Sequence, residues 1–305
     1  MAYISKHFKK SFEVYKRNFV PIILSVLLIG IIYGLFFGLS IFALFGPKGV
    51  NTIAESYMMS GEFTDFESQE FSEFLNLQNV GLFLLFVILG GIIAIFLQAG
   101  FWGVCFHGIK KRVTMKTFFT TIRKRGISYF LANILVGVIV LTILILLFRV
   151  CIVLYFFSPI LSTIVLLLGI LMITPFLWFG ILIIFPFFVL CYPAIISGKK
   201  ILVSLAESLS LGKKYFSSLM LFFIVIILLS IIVYIPSIIF SYAELFLIYP
   251  TAYIILVFLG HIIIYFLISP LFTLVICSFY IDVKQKPEKI KRQKRTIKKQ
   301  KGKRK

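Results

Sequence analysis

The chain has 305 residues, of which 61% are hydrophobic and only 14% charged, and its mean hydropathy is +1.08. A water-soluble domain averages about 45–50% apolar and about 25% charged residues, so this composition excludes a single soluble core and indicates an integral membrane protein. The net charge of +20 is large, and where the basic residues sit says more than their number.

The first element is amphipathic. In and just before the stretch "KKSFEVYKRNF" (Lys9–Phe19), the residues Ile4, Phe8, Phe12, Tyr15 and Phe19 recur at helical spacing, with Lys6, Lys9, Lys10, Glu13, Lys16 and Arg17 off that face. The pattern predicts a helix over 3–19 lying in the membrane interface, its rings in lipid and Lys9, Lys10, Lys16 and Arg17 at anionic lipid head groups. The next apolar run is longer than the core of a cleaved signal peptide, about 7–15 residues, and reads as a retained span over 20–45. Gly30, Gly34 and Gly38 form a double GxxxG ridge on it, which suits close helix packing, either inside the fold or against a second copy.

A loop over 46–79 carries Glu55, Glu62, Asp65, Glu67, Glu70 and Glu73. Further spans, each of about 20 apolar residues or more, are predicted over 80–106, 128–157, 160–196, 217–241 and 250–281. The third and fourth are divided near Ser158-Pro159, because proline opens or kinks helices. Two more amphipathic segments precede spans. Met115, Phe118, Phe119 and Ile122 mark one over 113–125. Leu202, Leu205, Ala206, Leu209 and Phe216 mark the other over 200–216, with Lys213 and Lys214 at head groups. The tail from Lys284 to Lys305 is nearly all polar and basic. It is expected to be disordered and to meet anionic lipid rather than nucleic acid, since no aromatic residue is interleaved for stacking on bases.

Of the 31 basic residues, all but Lys48 and Arg149 fall in segments that this span assignment places on one side. Positive residues stay in the cytosol, so a cell membrane crossed six times with both termini inside is expected. The chain reads as an all-α protein built from three copies of one unit: interfacial helix, outward span, turn, return span. "AESLSLGKKYF" (Ala206–Phe216) aligns with the first helix, Ser208 with Ser11, Leu209 with Phe12 and Lys213 with Lys16. The returns end alike, as "CFHGIKK" (Cys105–Lys111), "CYPAIISGKK" (Cys191–Lys200) and "CSFYIDVK" (Cys277–Lys284).

The segment "FVLCYPAIISGKKILVSLAESLSLGKKYFSSLM" (Phe188–Met220) sets a proline, a glycine and a Ser-containing basic amphipathic helix before a span. Together with the ending "SPLFTLVICSFYIDVKQK" (Ser269–Lys286), it resembles a large family of uncharacterised six-helix prokaryotic membrane proteins. That family includes the membrane domain attached to some glycerophosphodiester phosphodiesterases. The resemblance implies a six-span fold over nearly the whole chain. It departs at Ser197, where the family often has an acidic residue before the glycine. It implies no phosphodiesterase activity, because that chemistry belongs to a separate soluble domain outside this sequence.

No residues converge on a catalytic reading. There is no P-loop, HExxH or GxSxG, and none of Cys105, Cys151, Cys191 and Cys277 lies in a CxxC pair, so neither a cofactor nor a metal is expected. His7 and His107 have no acid or nucleophile partner at a recognisable spacing. The candidate intramembrane polar residues are His261, Arg149, Gln98 and Asn133. His261, near the middle of the sixth span, is either a functional group or a neutral ring bonded to a neighbouring helix. Arg149, toward the outer end of the third span, either reaches head groups or pairs with Glu244. Gln98 and Asn133 join helices by hydrogen bonds. Pro175, Pro186, Pro236 and Pro270 either kink helices or expose backbone carbonyls to an ion. The expected function is that of a non-enzymatic accessory or structural factor organising lipid, or other membrane proteins, at the cytosolic face. A transporter or lipid-handling carrier is the other reading.

Overall fold

The structure is a computed structural model that describes residues 2–60, 77–156, 184, 186–242 and 250–302, almost all of them helical and none in a strand. The helices are α1 (Ala2–Arg17), α2 (Phe19–Ser60), α3 (Leu77–Lys110), α4 (Met115–Phe156), α5 (Cys191–Ile196), α6 (Ile201–Lys214), α7 (Phe216–Tyr242) and α8 (Pro250–Ile263). A π-helical turn (Ile264–Ile268) then leads into α9 (Ser269–Gly302). Among the described residues, five stretches are long and apolar enough to cross a membrane: Phe19–Gly46, Gln78–Lys110, Met115–Ile143, Phe216–Ile239 and Ile255–Gln285. The chain is an all-α, polytopic membrane protein. Of the expected span 160–196 only the end is described, as the apolar helix Pro186–Ile196; the break at Ser158-Pro159 and Pro175 lie outside the described residues.

Helix limits follow from local chemistry. Pro21 lies in the first turn of α2 and has no N–H to return to the Arg17 carbonyl, so the chain breaks at Asn18 and restarts. Gly46 adopts φ 65°, ψ 178°, a conformation that only glycine reaches without strain. The apolar part of α2 ends there, as expected, but helix resumes and runs to Ser60 where a loop was predicted. Gly198, at φ 105°, ends α5: Lys199 N–H bonds Ala194 C=O at 3.3 Å and Gly198 N–H bonds Ile195 C=O at 2.9 Å, a Schellman closure. The tail also differs from expectation. Helix α9 continues through the basic segment to Gly302; lysine, arginine and glutamine are good helix formers, and the packed stem of α9 removes the cost of nucleation.

The rotation of α1 corrects one part of the sequence reading: Tyr15, expected in lipid with the rest of its stripe, is buried in the protein. The buried side chains are His7, Ser11, Val14, Tyr15 and Asn18, whereas Phe12 and Phe19 are 45% and 50% exposed. His7 and Asn18 of the polar edge find hydrogen-bond partners inside, and part of the aromatic stripe is left outside. Helix α6 does the same: Ser204, Ser208 and Gly212 are buried while Leu202, Val203 and Leu209 are exposed. The aligned pairs Ser11 and Ser208 are both wholly buried, and α6 breaks at Tyr215 where α1 breaks at Asn18. The middle segment lacks that break and is the first part of one continuous helix, α4. It buries Phe118 and Thr121 and leaves Phe119 outside.

Each lead-in helix packs on a return. The start of α4 lies along α3, where Thr121 and Phe118 press on Gly103 and Gly100. Helix α6 lies along α5 and the turn before it, where Gly212 meets the Phe187 backbone. Helix α1 crosses to α9, so that the first and last helices of the chain close a ring. Cys105, Cys191 and Cys277, equally spaced in the sequence, are buried within this layer. Ring contacts fill it further: Tyr129 to Tyr192 at 5.1 Å and Phe106 to Tyr280 at 6.4 Å between centroids. Away from this basic end, α2, α3, α7 and α8 expose large apolar side chains such as Ile31, Leu84, Ile231 and Phe258, the surface expected of helices covered by lipid.

Candidate functional site

The basic end concentrates the polar chemistry. Asn18, buried at the α1–α2 break, donates from Nδ2 to Val14 C=O at 3.1 Å and to Gly108 C=O at 3.3 Å, and accepts from Val113 N–H at 2.9 Å. Arg17 donates to Gly108 C=O at 2.6 Å, which satisfies a carbonyl in the last turn of α3. Arg17 therefore serves the fold as well as the surface. Ser208 donates to Phe187 C=O at 2.6 Å and so ties α6 to the segment before α5.

His7 has partners that its sequence neighbours do not suggest. Its Nδ1 is 3.0 Å from Ser278 Oγ and its Nε2 is 3.8 Å from Asp282 Oδ2, and Lys6 lies 3.6 Å from the same carboxylate. Histidine, serine and aspartate are the residues of a hydrolytic triad, but both His7 and Ser278 are buried. A second cluster joins α6 to α9: Lys199 pairs with Glu207, whose other oxygen is 3.4 Å from the Tyr280 hydroxyl. Burial and the nearby Lys284 push the Lys199 amine down to about 8, against the pull of the carboxylate it touches. No group of three or more potential metal ligands occurs among the described residues.

The outward side of the ring repeats one arrangement. Phe12, Phe119 and Leu209 are 45%, 57% and 41% exposed, and each is followed four residues later, on the same helix face, by an exposed base: Lys16, Arg123 and Lys213. Lys16 Nζ lies 4.7 Å from the centre of the Phe12 ring, a cation–π contact. Lys9 and Lys214 are also exposed, and Lys10 is half-buried.

The other sequence candidates are scattered. His261 is exposed, its Nδ1 2.9 Å from Val257 C=O on its own helix and its ring edge-on to Tyr234 of α7. Arg149 is exposed near the far end of α4, and Glu244 lies outside the described residues. Asn133 bonds Tyr129 C=O at 2.9 Å and accepts from the Tyr192 hydroxyl at 3.2 Å, joining α4 to α5. Gln98 lines a cleft with Trp102, Tyr265, Ser269 and Thr273. Of the glycine ridge, only Gly30 approaches another helix, 3.9 Å from Tyr265 for an added Cβ; Gly34 and Gly38 have nothing within 4 Å. Close approach occurs instead at Gly90, Gly100, Gly103, Gly126 and Gly212, where no GxxxG spacing drew attention. The His7–Ser278–Asp282 cluster was missed because it joins opposite ends of the chain, and the cleft because its residues come from separate hairpins. No protein family, curated protein or solved structure matches the chain.

Proposed function

We propose that the chain is a non-catalytic cell-membrane protein whose basic end gathers anionic lipid head groups on the cytosolic side and organises lipid, or partner proteins, there. The observation that carries this reading is the threefold pairing of an exposed apolar side chain with a base one turn further on: Phe12 with Lys16, Phe119 with Arg123 and Leu209 with Lys213. An apolar group beside a cation has its free-energy minimum where hydrocarbon meets phosphate. The burial of Ser278 supports a structural role for the triad-like cluster, because no substrate carbonyl reaches a buried hydroxyl. The proposal includes six spans with both termini cytosolic, three repeated units, and kinship with the six-helix family that Phe188–Met220 resembles. The near-complete segregation of basic residues to one end supports this topology.

Lipid selectivity tests the function. In vesicles containing the purified chain, spin-labelled phosphatidylglycerol should be immobilised in preference to phosphatidylcholine. Salt should weaken the preference. Replacing Lys9, Lys16, Lys213 and Lys214 by Gln should reduce it about fivefold, the effect of one lysine's contribution of about 1 kcal/mol at each head group it meets. Equal immobilisation of the two lipids by the unaltered chain would overturn the reading.

A carrier is the second reading. It is favoured by the cleft at Gln98, which opens between two hairpins within the spans.

A further inference from the structure

A cleft of about 260 Å³ lies where α2 and α3 meet the π turn and the start of α9. Its polar lining is the Gln98 amide, the Trp102 indole, the Tyr265 phenol and the hydroxyls of Ser269 and Thr273, set among apolar side chains of α2 and α3; none of these groups is charged. Thr273 is buried and donates to Ser269 C=O at 3.1 Å. Gln98, Tyr265 and Ser269 are exposed, and their side chains make no hydrogen bond among the described residues. The helix from Gln98 to Lys110 covers about 18 Å at 1.5 Å per residue. If the lysine marks the head groups, the cleft lies in the hydrocarbon layer. Polar groups facing hydrocarbon without partners are costly, so their convergence needs an explanation that lipid chains alone do not supply.

The backbone adds an independent observation. The wall formed by Ile264–Ile268 is π-helical, a departure from regular helix that is frequent at functional sites. It is held open rather than frayed: Tyr15 O–H donates to Phe266 C=O at 2.7 Å. The widened turn sets Tyr265 and Ser269 on the cleft.

We propose that this cleft binds the head of a neutral lipid of the diacylglycerol class, with its ester and hydroxyl oxygens on Gln98, Trp102, Tyr265 and Ser269 and its chains leaving sideways into the bilayer. The donors suit ester carbonyls, and Gln98 and Ser269 also accept from a hydroxyl. An uncharged lining at this depth disfavours phosphate. The volume is near the lower limit of ligand pockets, about 300 Å³, which suits a glycerol ester head rather than a whole lipid. The inference is separate from the collar of bases, which concerns anionic lipid at the surface.

Trp102 is the reporter. A Trp178→Phe variant leaves it as the sole tryptophan of the two, and the protein is placed in vesicles with lipids brominated near the ester. At equal mole fraction, brominated diacylglycerol should quench Trp102 at least twofold more than brominated phosphatidylcholine. The preference should disappear in Gln98→Leu with Thr273→Val. Ser269→Ala, at an exposed residue, should halve it and serves if the double variant does not fold. Equal quenching by the two lipids, stronger quenching by brominated phosphatidylglycerol, or a preference unaffected by these substitutions would overturn the proposal.

Discussion

Tyr15 donates its hydroxyl proton to the carbonyl of Phe266 at 2.7 Å, across nearly the whole length of the chain. Pro270, four residues after Phe266, has no N–H to give that carbonyl. One proline thus leaves an acceptor open, and the first helix fills it. Tyr15→Phe should cost about 1–3 kcal/mol, the usual penalty for orphaning a buried polar group, seen as a lower melting temperature in detergent. Burial raises the Tyr15 pKa above its usual value of 10. A pKa raised on folding means that the contribution is complete below the unfolded value and is lost as pH rises through the folded one. Protection of α1 from hydrogen exchange should therefore fall at strongly alkaline pH, with a step that Tyr15→Phe abolishes.

The glycines divide into two groups with opposite expectations. A Cβ on Gly103 would collide with the Thr121 side chain, and one on Gly212 would lie 2.8 Å from the Phe187 Cα. Gly103→Ala and Gly212→Ala should each destabilise by about 1–3 kcal/mol. Gly34→Ala and Gly38→Ala meet nothing within 4 Å and should gain about 0.5–1 kcal/mol of helix stability. Thermal unfolding of the four variants decides it; a loss at Gly34 or Gly38 matching that at Gly212 would contradict the packing described.

Asn18 holds three backbone groups at the junction of α1, α3 and the loop to α4. Asn18→Leu keeps similar bulk and removes the bonds, so a loss of about 1–3 kcal/mol is expected from the stranded Val113 N–H, while Arg17 still serves the Gly108 carbonyl. Exchange of the Val113 amide should accelerate in step with that loss. An unchanged rate would show that Asn18 is incidental.

Much of this architecture was legible from one-dimensional pattern. Long apolar runs locate spans because a bilayer demands length, and Phe19–Gly46 matches the expected 20–45 closely. The sequence aligned Ser11 with Ser208, and both are buried, which the alignment by itself did not indicate. The inward rotation of α1 was not legible: a Phe stripe and a His–Ser–Asn edge both suit a packed face, and His7, with Ser278 and Asp282 at the end of the last span, decides between them. The glycine ridge misled because GxxxG marks a surface capable of close contact, not one that has it. Asn133 joined helices as its depth suggested, whereas Gln98 faced a cleft that no single segment reveals.

The depth of the lead-in helices tests the central claim most directly. Nitroxides placed singly at Phe12, Phe119 and Leu209, and for comparison at Lys9, Lys116 and Lys213, are measured in vesicles by power saturation with oxygen and with a water-soluble nickel chelate. The account predicts that the first three labels are oxygen-accessible and shielded from nickel, just below the phosphates, with the three lysine positions open to nickel. Labels at 12, 119 and 209 as open to nickel as one at Lys303 would contradict it.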